Sequence, residues 1–287
     1  MPFLLDRRRF LKGSAALLGA GIRLPADSGS ARVALLSDTH IAADPENTFR
    51  GFFPHQNLRA VCDQVQQSKF DLLVVNGDLA RLTGQEGDYA AFRGFIDPLA
   101  EQMPAIVTLG NHDERKNARS ALTKRAGEIQ PVEQKLVTTV DAGPLRFVML
   151  DSLLVTNISP GQVGKQQRAW LSSYLDGGGQ KPTVVFVHHN PDAESDGALV
   201  DADRLLAILR ARRAVKALIF GHTHVYAFDK TDGMHLVNLP AVGYNFADGN
   251  PVGWVEATFS GRSAKLQLHA IAGEKKNDGK VTELTWR

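Results

Sequence analysis

The sequence predicts an α/β domain in which two packed β-sheets form a sandwich flanked by helices. Three observations carry that prediction. Short apolar runs alternate with stretches of helical spacing from about residue 31 to residue 100, a β-α-β-α-β order that argues for a largely parallel sheet under helices. The alternation resumes from Lys135 to Phe220, and from Val225 onward only strand and turn signals remain. Finally, 287 residues at 43% hydrophobic composition suffice for one large domain with a sizeable core.

Each element has its own reason. "ARVALLSDTH" (31–40) is an apolar run with a polar end, as are "FDLLVVNGD" (70–78) and "MPAIVTLGNHDE" (103–114), and all three read as buried strands. Helical spacing lies between them in "HQNLRAVCDQVQQ" (55–67) and "DYAAFRGFIDPLA" (88–100). "KLVTTVDAG" and "PLRFVMLDS" read as two strands joined by a turn at Gly143-Pro144. "GKQQRAWLSSYLD" (164–176) is an amphipathic helix stopped by Gly177-Gly178-Gly179. "PTVVFVHHNP" (182–191) and "VKALIFGHTH" (215–224) are strands. "DADRLLAILRARR" (201–213) between them is a helix with Asp at its start and Arg at its end, as the helix dipole favours. "MHLVNLPAV", "GWVEATFS" and "AKLQLHAIA" close the chain as strands.

The apolar strands end in acid, amide or imidazole groups: Asp38 and His40; Asp78; Asn111, His112 and Asp113; His188 and His189; His222 and His224. Sites in α/β sheets form beyond the carboxyl ends of strands, so five such endings point to one shared site. In extended backbone residues i and i+2 face the same side, so Asp38 and His40 would flank Thr39 and meet one ion, as would His222 and His224 around Thr223. Gly77, Gly110 and Gly221 precede polar residues and permit close backbone approach there. A D-x-H triplet means little alone, whereas the ordered set is hard to reach by chance.

That set, Asp38-x-His40, Gly77-Asp78, Gly110-Asn111-His112-Asp113, His188 and Gly221-His222-x-His224, resembles the signature of the calcineurin-like metallophosphoesterases over about residues 32–225. The resemblance implies a four-layer α/β/β/α fold and a centre of two divalent or trivalent ions (Mn, Fe or Zn). It also implies hydrolysis of a small phosphate-ester substrate, a mono- or diester. Carried over, Asp38, His40 and His224 would bind one ion, Asn111, His188 and His222 the other, and Asp78 would bridge them. Either histidine of the 188–189 pair offers a ligand; similar proteins with adjacent histidines favour His188, leaving His189 beside it. His112 would contact the phosphate and serve as the acid, oriented by Asp113; Asn111 would also touch substrate. Carboxylate, amide and imidazole donors suit these metals, and two ions clamp a phosphoryl group while lowering the pKa of a bound water.

One position departs from the purple acid phosphatases: the tyrosine three residues after the bridging aspartate is Arg81 here, so a purple tyrosinate–iron centre is not expected. Within the family the chain resembles bacterial cyclic-nucleotide phosphodiesterases, and a broad phosphomono- or diesterase fits equally. A protein phosphatase, a catalytically weak binding relative and an exonuclease-like member are the alternatives. No ligand position is missing, and neither a basic groove nor an extra domain is evident. Arg50, Phe52, Phe53 and His55, with Tyr244 and Asn245 in the stretch 242–250, are candidates to line the substrate pocket; His235 and His269 read as structural.

The N-terminus reads as an address. "DRRRFLKG" followed by "SAALLGAGI" combines a basic and a short apolar region, and Arg7-Arg8-x-Phe10-Leu11-Lys12 resembles a twin-arginine export signal, with Asp6 where Ser or Thr is usual. The expectation is a signal over 1–26, a working domain over 31–287, the twin-arginine export machinery as partner, and a periplasmic or secreted location without a stable membrane anchor. Cleavage after Ala26 removes five of the 33 basic and one of the 31 acidic residues, turning a net charge of +2 into −2, so no nucleic-acid partner is expected. The single Cys62 excludes an internal disulfide and reads as a buried thiol.

Overall fold

The computed structural model describes residues 22–23, 29–122, 131–192, 195 and 197–287. The signal assigned to residues 1–26 lies outside them, apart from Ile22 and Arg23.

Thirteen strands form two mixed sheets among the described residues. In the first, β2 (Ser30–Leu36), β3 (Leu72–Asn76) and β4 (Ala105–Thr108) run parallel. The antiparallel strands β11 (Pro251–Ser260), β12 (Ser263–Gly273) and β13 (Val281–Thr285) extend it in the order β13-β12-β11-β2-β3-β4. The second has the order β1-β5-β6-β7-β8-β10-β9. Its parallel centre is β6 (Leu145–Met149), β7 (Thr183–Phe186), β8 (Val215–Phe220) and β10 (Met234–Asn238). The antiparallel β5 (Thr138–Ala142) and β9 (Ala227–Thr231) flank that centre, and the two-residue β1 (Ile22–Arg23) lies at the edge. The sheets are thus mixed rather than largely parallel, because the C-terminal strands return as hairpins against the parallel core.

Strand alternation sorts the core into three layers. Val33, Leu35, Leu72 and Val74 face inward and meet Phe147, Phe186, Ala217 and Ile219 of the other sheet. Phe147 packs edge-to-face on Phe259 across the sandwich, with ring centroids 5.3 Å apart. Removing a ring so buried typically costs about 3–5 kcal/mol. The outward residues Ala34, Leu36, Leu73 and Val75 pack under α1 (Pro54–Gln66), α2 (Glu86–Ala100) and α3 (Arg115–Leu122). Val148, Val185 and Leu218 do the same under α4 (Lys165–Gly177) and α5 (Ala202–Arg210). The result is the expected helix–sheet–sheet–helix stack.

Local chemistry explains the details. Cys62 is buried in α1, where desolvation pushes its thiol up to about 12, as befits an inert packing group. His235 is buried with Nε2–H donating to the Thr285 carbonyl, and His269 stacks on Trp254 at 4.4 Å. α3 carries no readable periodicity, since only Ala118 and Leu122 of its eight residues are buried. It is held instead by Arg115, whose guanidinium grips the buried Asp151 at 2.8 and 3.0 Å. Asp201 does not cap α5, despite its position: its carboxylate accepts from the Val163 and Gly164 amides and pairs with Arg168.

Candidate dimetal centre

The carboxyl ends of β2, β3, β4, β7 and β8 converge where the two sheets meet, and the segments leaving them are laced together. The amides of Asp38 and His40 donate to Gly77 and Asp78 carbonyls at 3.1 and 2.9 Å, and Gly221 N–H donates to the His188 carbonyl at 2.9 Å. Val242 and Gly243 amides donate to Ser37 and Asp38 carbonyls, both at 2.9 Å. This lacing changes how the side chains converge. Neither D-x-H nor H-x-H is extended, as the spacing argument assumed: φ is 53° at Asp38, 50° at His40, 70° at His222 and 56° at His224, with 49° at Asp78. Left-handed backbone is uncommon outside glycine, though Asp and His tolerate it, and it concentrates at functional sites. Alternating handedness, and not pleating, aims both side chains of each pair inward. Thr39 turns away as expected, its hydroxyl reaching the Leu79 carbonyl at 3.1 Å.

Three donor groups result among the described residues, one of them joining His40, Asp78 and His112. Asp38, His40 and His224 bring their ligand atoms within 4.8 Å of one another, and so do Asp78, His188 and His222. His224 Nε2 lies 3.4 Å from Asp38 Oδ1, and His188 Nε2 lies 3.4 Å from Asp78 Oδ2. Backbone carbonyls fix the tautomers, because a carbonyl only accepts: Nδ1–H of His188 donates to Asn76 and that of His224 to Tyr244, at 2.9 and 2.6 Å. Each Nε2 is therefore aimed inward, the arrangement that orients metal-binding imidazoles, with an ion taking the place of any proton there. Of the two adjacent histidines only His188 joins a donor group; His189 packs its Nδ1 against Ser152 Oγ at 2.7 Å.

The donors fit metal ions. His188 Nε2 and Asn111 Oδ1 are buried without a hydrogen-bond partner, and the Nε2 atoms of His40 and His224 face each other at 3.1 Å. Buried polar atoms rarely lack partners unless an ion or water serves them. Electrostatics agree. Burial pushes His40 down to about 3 and His222 down to about 4, keeping both neutral and able to ligate. Burial also acts against a charged His188, yet Asp78 and Asp38 outweigh it and hold that imidazole up to about 10. The two enclosed carboxylates thus draw positive charge into the site.

Backbone approach is tight enough to require glycine. A Cβ on Gly77, where φ is 80°, would strike the His188 ring, and one on Gly110 would strike the Asp78 carboxylate. Gly221 backs against Ser37 and Asp38 in the same way.

His112 sits at the mouth, its ring 5.3 Å from that of His40. Its backbone N–H donates to Asp78 Oδ1 at 2.8 Å and its Nδ1–H to the Leu82 carbonyl at 2.9 Å, leaving Nε2 for proton transfer. Leu82, and not Asp113 as the resemblance implies, holds the imidazole. Asp113 is fully buried and accepts from the amides of Gly110, Leu79 and Ala80 and from the Tyr89 hydroxyl. Burial and the nearby Asp78 charge push its carboxyl up to about 7 against those backbone donors. Its work is to tie the loop after β3 to the loop after β4. An Asp113→Ala protein leaves those donors unsatisfied, so we expect a loss of about 3–5 kcal/mol and a melting temperature lower by roughly 6–15 °C, read by calorimetry. A change within 2 °C would remove this role.

The pocket candidates divide. Tyr244 is buried and stacks on His40 at 4.6 Å, and the exposed Arg50 donates to the Phe246 carbonyl at 2.8 Å, so the two loops meet. Phe53 is exposed, and Phe52 closes a small turn with Phe49. His55 instead donates to Ala42 and packs on Phe95, and Asn245 is buried with its amide held by the Asn250 carbonyl. Both side chains are thus committed to these contacts. The sequence reading did not single out Phe49, which packs on Tyr244 at 4.7 Å, or Phe246, which stacks on His224 at 4.3 Å. Isolated aromatics in irregular loops carry no periodic signal.

The calcineurin-like phosphoesterase family matches the chain over residues 31–226. A 3',5'-cyclic adenosine monophosphate phosphodiesterase of Pseudomonas aeruginosa is 29% identical over 234 residues, covering 79% of this chain and 81% of that protein. A glycerophosphodiester phosphodiesterase of Enterobacter lignolyticus is 26% identical over 216 residues, covering 73% and 76%. A dimetal phosphatase from Danio rerio shares the fold with a TM-score of 0.69 at 15% identity, over 89% of this chain and 99% of that one. The matched segment spans every donor of the centre, and the chain belongs to the calcineurin-like phosphoesterases, metal-dependent hydrolases of phosphate esters.

Proposed function

We propose that this chain is an exported phosphodiesterase acting on small organic diesters, cyclic nucleotides among them. The observation that carries the reading is the pair of donor groups with inward-facing Nε2 atoms, beside a His112 whose Nδ1 is held by the Leu82 carbonyl. Asp38, His40 and His224 would hold one ion, Asn111, His188 and His222 the other, and Asp78 would serve both. Bound ions supply Lewis acidity and an activated water nucleophile, with Mn, Fe and Zn all suited to this donor set. The chain's own residues then orient the ester and move the proton. Asn111 and His112 meet the phosphate, and His112 Nε2 delivers a proton to the departing alkoxide while Leu82 holds the ring. The relatives named as phosphodiesterases of cyclic and glycerol diesters support the diester class.

The test is a turnover screen of mono- and diesters with the protein stripped by chelator and reloaded with Mn, Fe or Zn, ions being counted by elemental analysis. We expect two ions per chain and at least 100-fold faster turnover when loaded, highest on diesters. Two bound ions without turnover of any ester would support a binding relative instead. Export is supported by Arg7-Arg8-x-Phe10-Leu11-Lys12 alone. Lysine at both Arg7 and Arg8 is expected to retain the protein in the cytoplasm on cell fractionation; unchanged release would reject that address.

A further inference from the structure

Among the described residues, two of the three exposed phenylalanines, Phe49 and Phe246, lie at one wall of the centre while Phe53 does not join them. Phe246 lies 49% exposed with its ring 27° from that of His224, and Phe49 is 37% exposed. Both pack edgewise on Tyr244, at 5.7 and 4.7 Å, and Tyr244 itself stacks on His40. The Arg81 guanidinium lies over the Phe49 ring at 4.7 Å. Two residues that bracket the donor groups thus carry a continuous aromatic surface outward. Leaving phenylalanine this far in water has a hydrophobic cost that packing on His224 and Tyr244 only partly offsets. Arg81 stands one residue before Leu82, whose carbonyl holds His112, and His40 packs on both Tyr244 and His112, so this wall adjoins the proposed acid.

From this geometry we infer that Phe49, Phe246 and Arg81 form a stacking shelf for a planar aromatic group on the departing side of the ester. The inference rests on the phosphoesterase reading of the site. It selects substrates within the diester class: esters of nucleosides or phenols are held on the shelf, whereas glycerol or choline esters have nothing to place there. Aromatic rings stack on such surfaces with gains of about tenfold or more in binding, and a guanidinium over the ring adds to the attraction.

The test reads binding and not turnover, so it stays separate from the activity itself. Metal-loaded protein is titrated calorimetrically with adenosine 5'-monophosphate, with ribose 5-phosphate, which lacks the base, and with phenyl phosphate. We expect adenosine 5'-monophosphate to bind at least tenfold tighter than ribose 5-phosphate. Phe246→Leu and Phe49→Leu should each reduce that ratio at least threefold, with the ion count unchanged. Phenyl phosphate tighter than ribose 5-phosphate but weaker than the nucleotide would assign the shelf to any aromatic ring; equality with ribose 5-phosphate would assign it to a nucleobase. Equal affinity for the three ligands, or ratios unmoved by both substitutions, overturns the shelf. Loss of all turnover with the preference intact would overturn the esterase reading alone.

Discussion

An Asp78→Asn protein is expected to lose about 1000-fold or more in kcat/KM and to hold fewer than two ions per chain. Asp78 is 2% exposed and stands at the centre of the site. Its Oδ2 lies 3.4 Å from His188 Nε2 and 3.8 Å from His40 Nε2, one from each donor group, while Oδ1 takes the His112 amide. Asparagine keeps the shape and one acceptor but removes the charge that a shared carboxylate brings to two cations. Losing a single preorganised electrostatic contact commonly costs 10²–10³ in rate, and here the loss extends to the ions themselves. Elemental analysis beside steady-state kinetics reads both effects. Full turnover with two ions retained would show that Asp78 does not join them.

Removing the acid should produce a different pattern. His112→Ala is expected to slow alkyl diesters by 10²–10⁴, the usual range for general acid catalysis, yet barely affect 4-nitrophenyl esters, whose leaving group departs without a proton. The ion count should remain at two. That last measurement matters because His112 also approaches His40 and Asp78 closely enough to form a third donor group. An ion lost with the imidazole would make His112 a ligand, and equal slowing of both ester types would remove it from proton transfer.

The candidate donors were legible because each sits directly after an apolar strand, where chain order puts Asp38, Asp78, Asn111, His188, His222 and His224 at the carboxyl ends of strands that meet at one end of the sandwich. The layers were legible for a similar reason, since strand and helix periods repeat over many residues. What sequence could not show was set by distant partners. Left-handed backbone at Asp38 and His40 depends on hydrogen bonds to the segments holding Gly77, Asp78 and Val242. The resemblance implied an orienting role for Asp113, but its four donors come from Gly110, from the loop after β3 and from α2. α3 is specified by Arg115 reaching Asp151, a pairing without local signature.

The candidate donors are divided between the two sheets. Asp38, His40, Asp78 and Asn111 follow strands of one sheet, whereas His188, His222 and His224 follow strands of the other. Ions held as proposed would each cross-link distant chain segments, such as His40 and His224, 184 residues apart. Opening the sandwich at this seam would then require releasing the ions first. An ion that binds only the assembled state would contribute about 2.7 kcal/mol at a free concentration 100 times its Kd. Metal supply would on that reading set how long the folded chain survives as well as whether it turns over substrate.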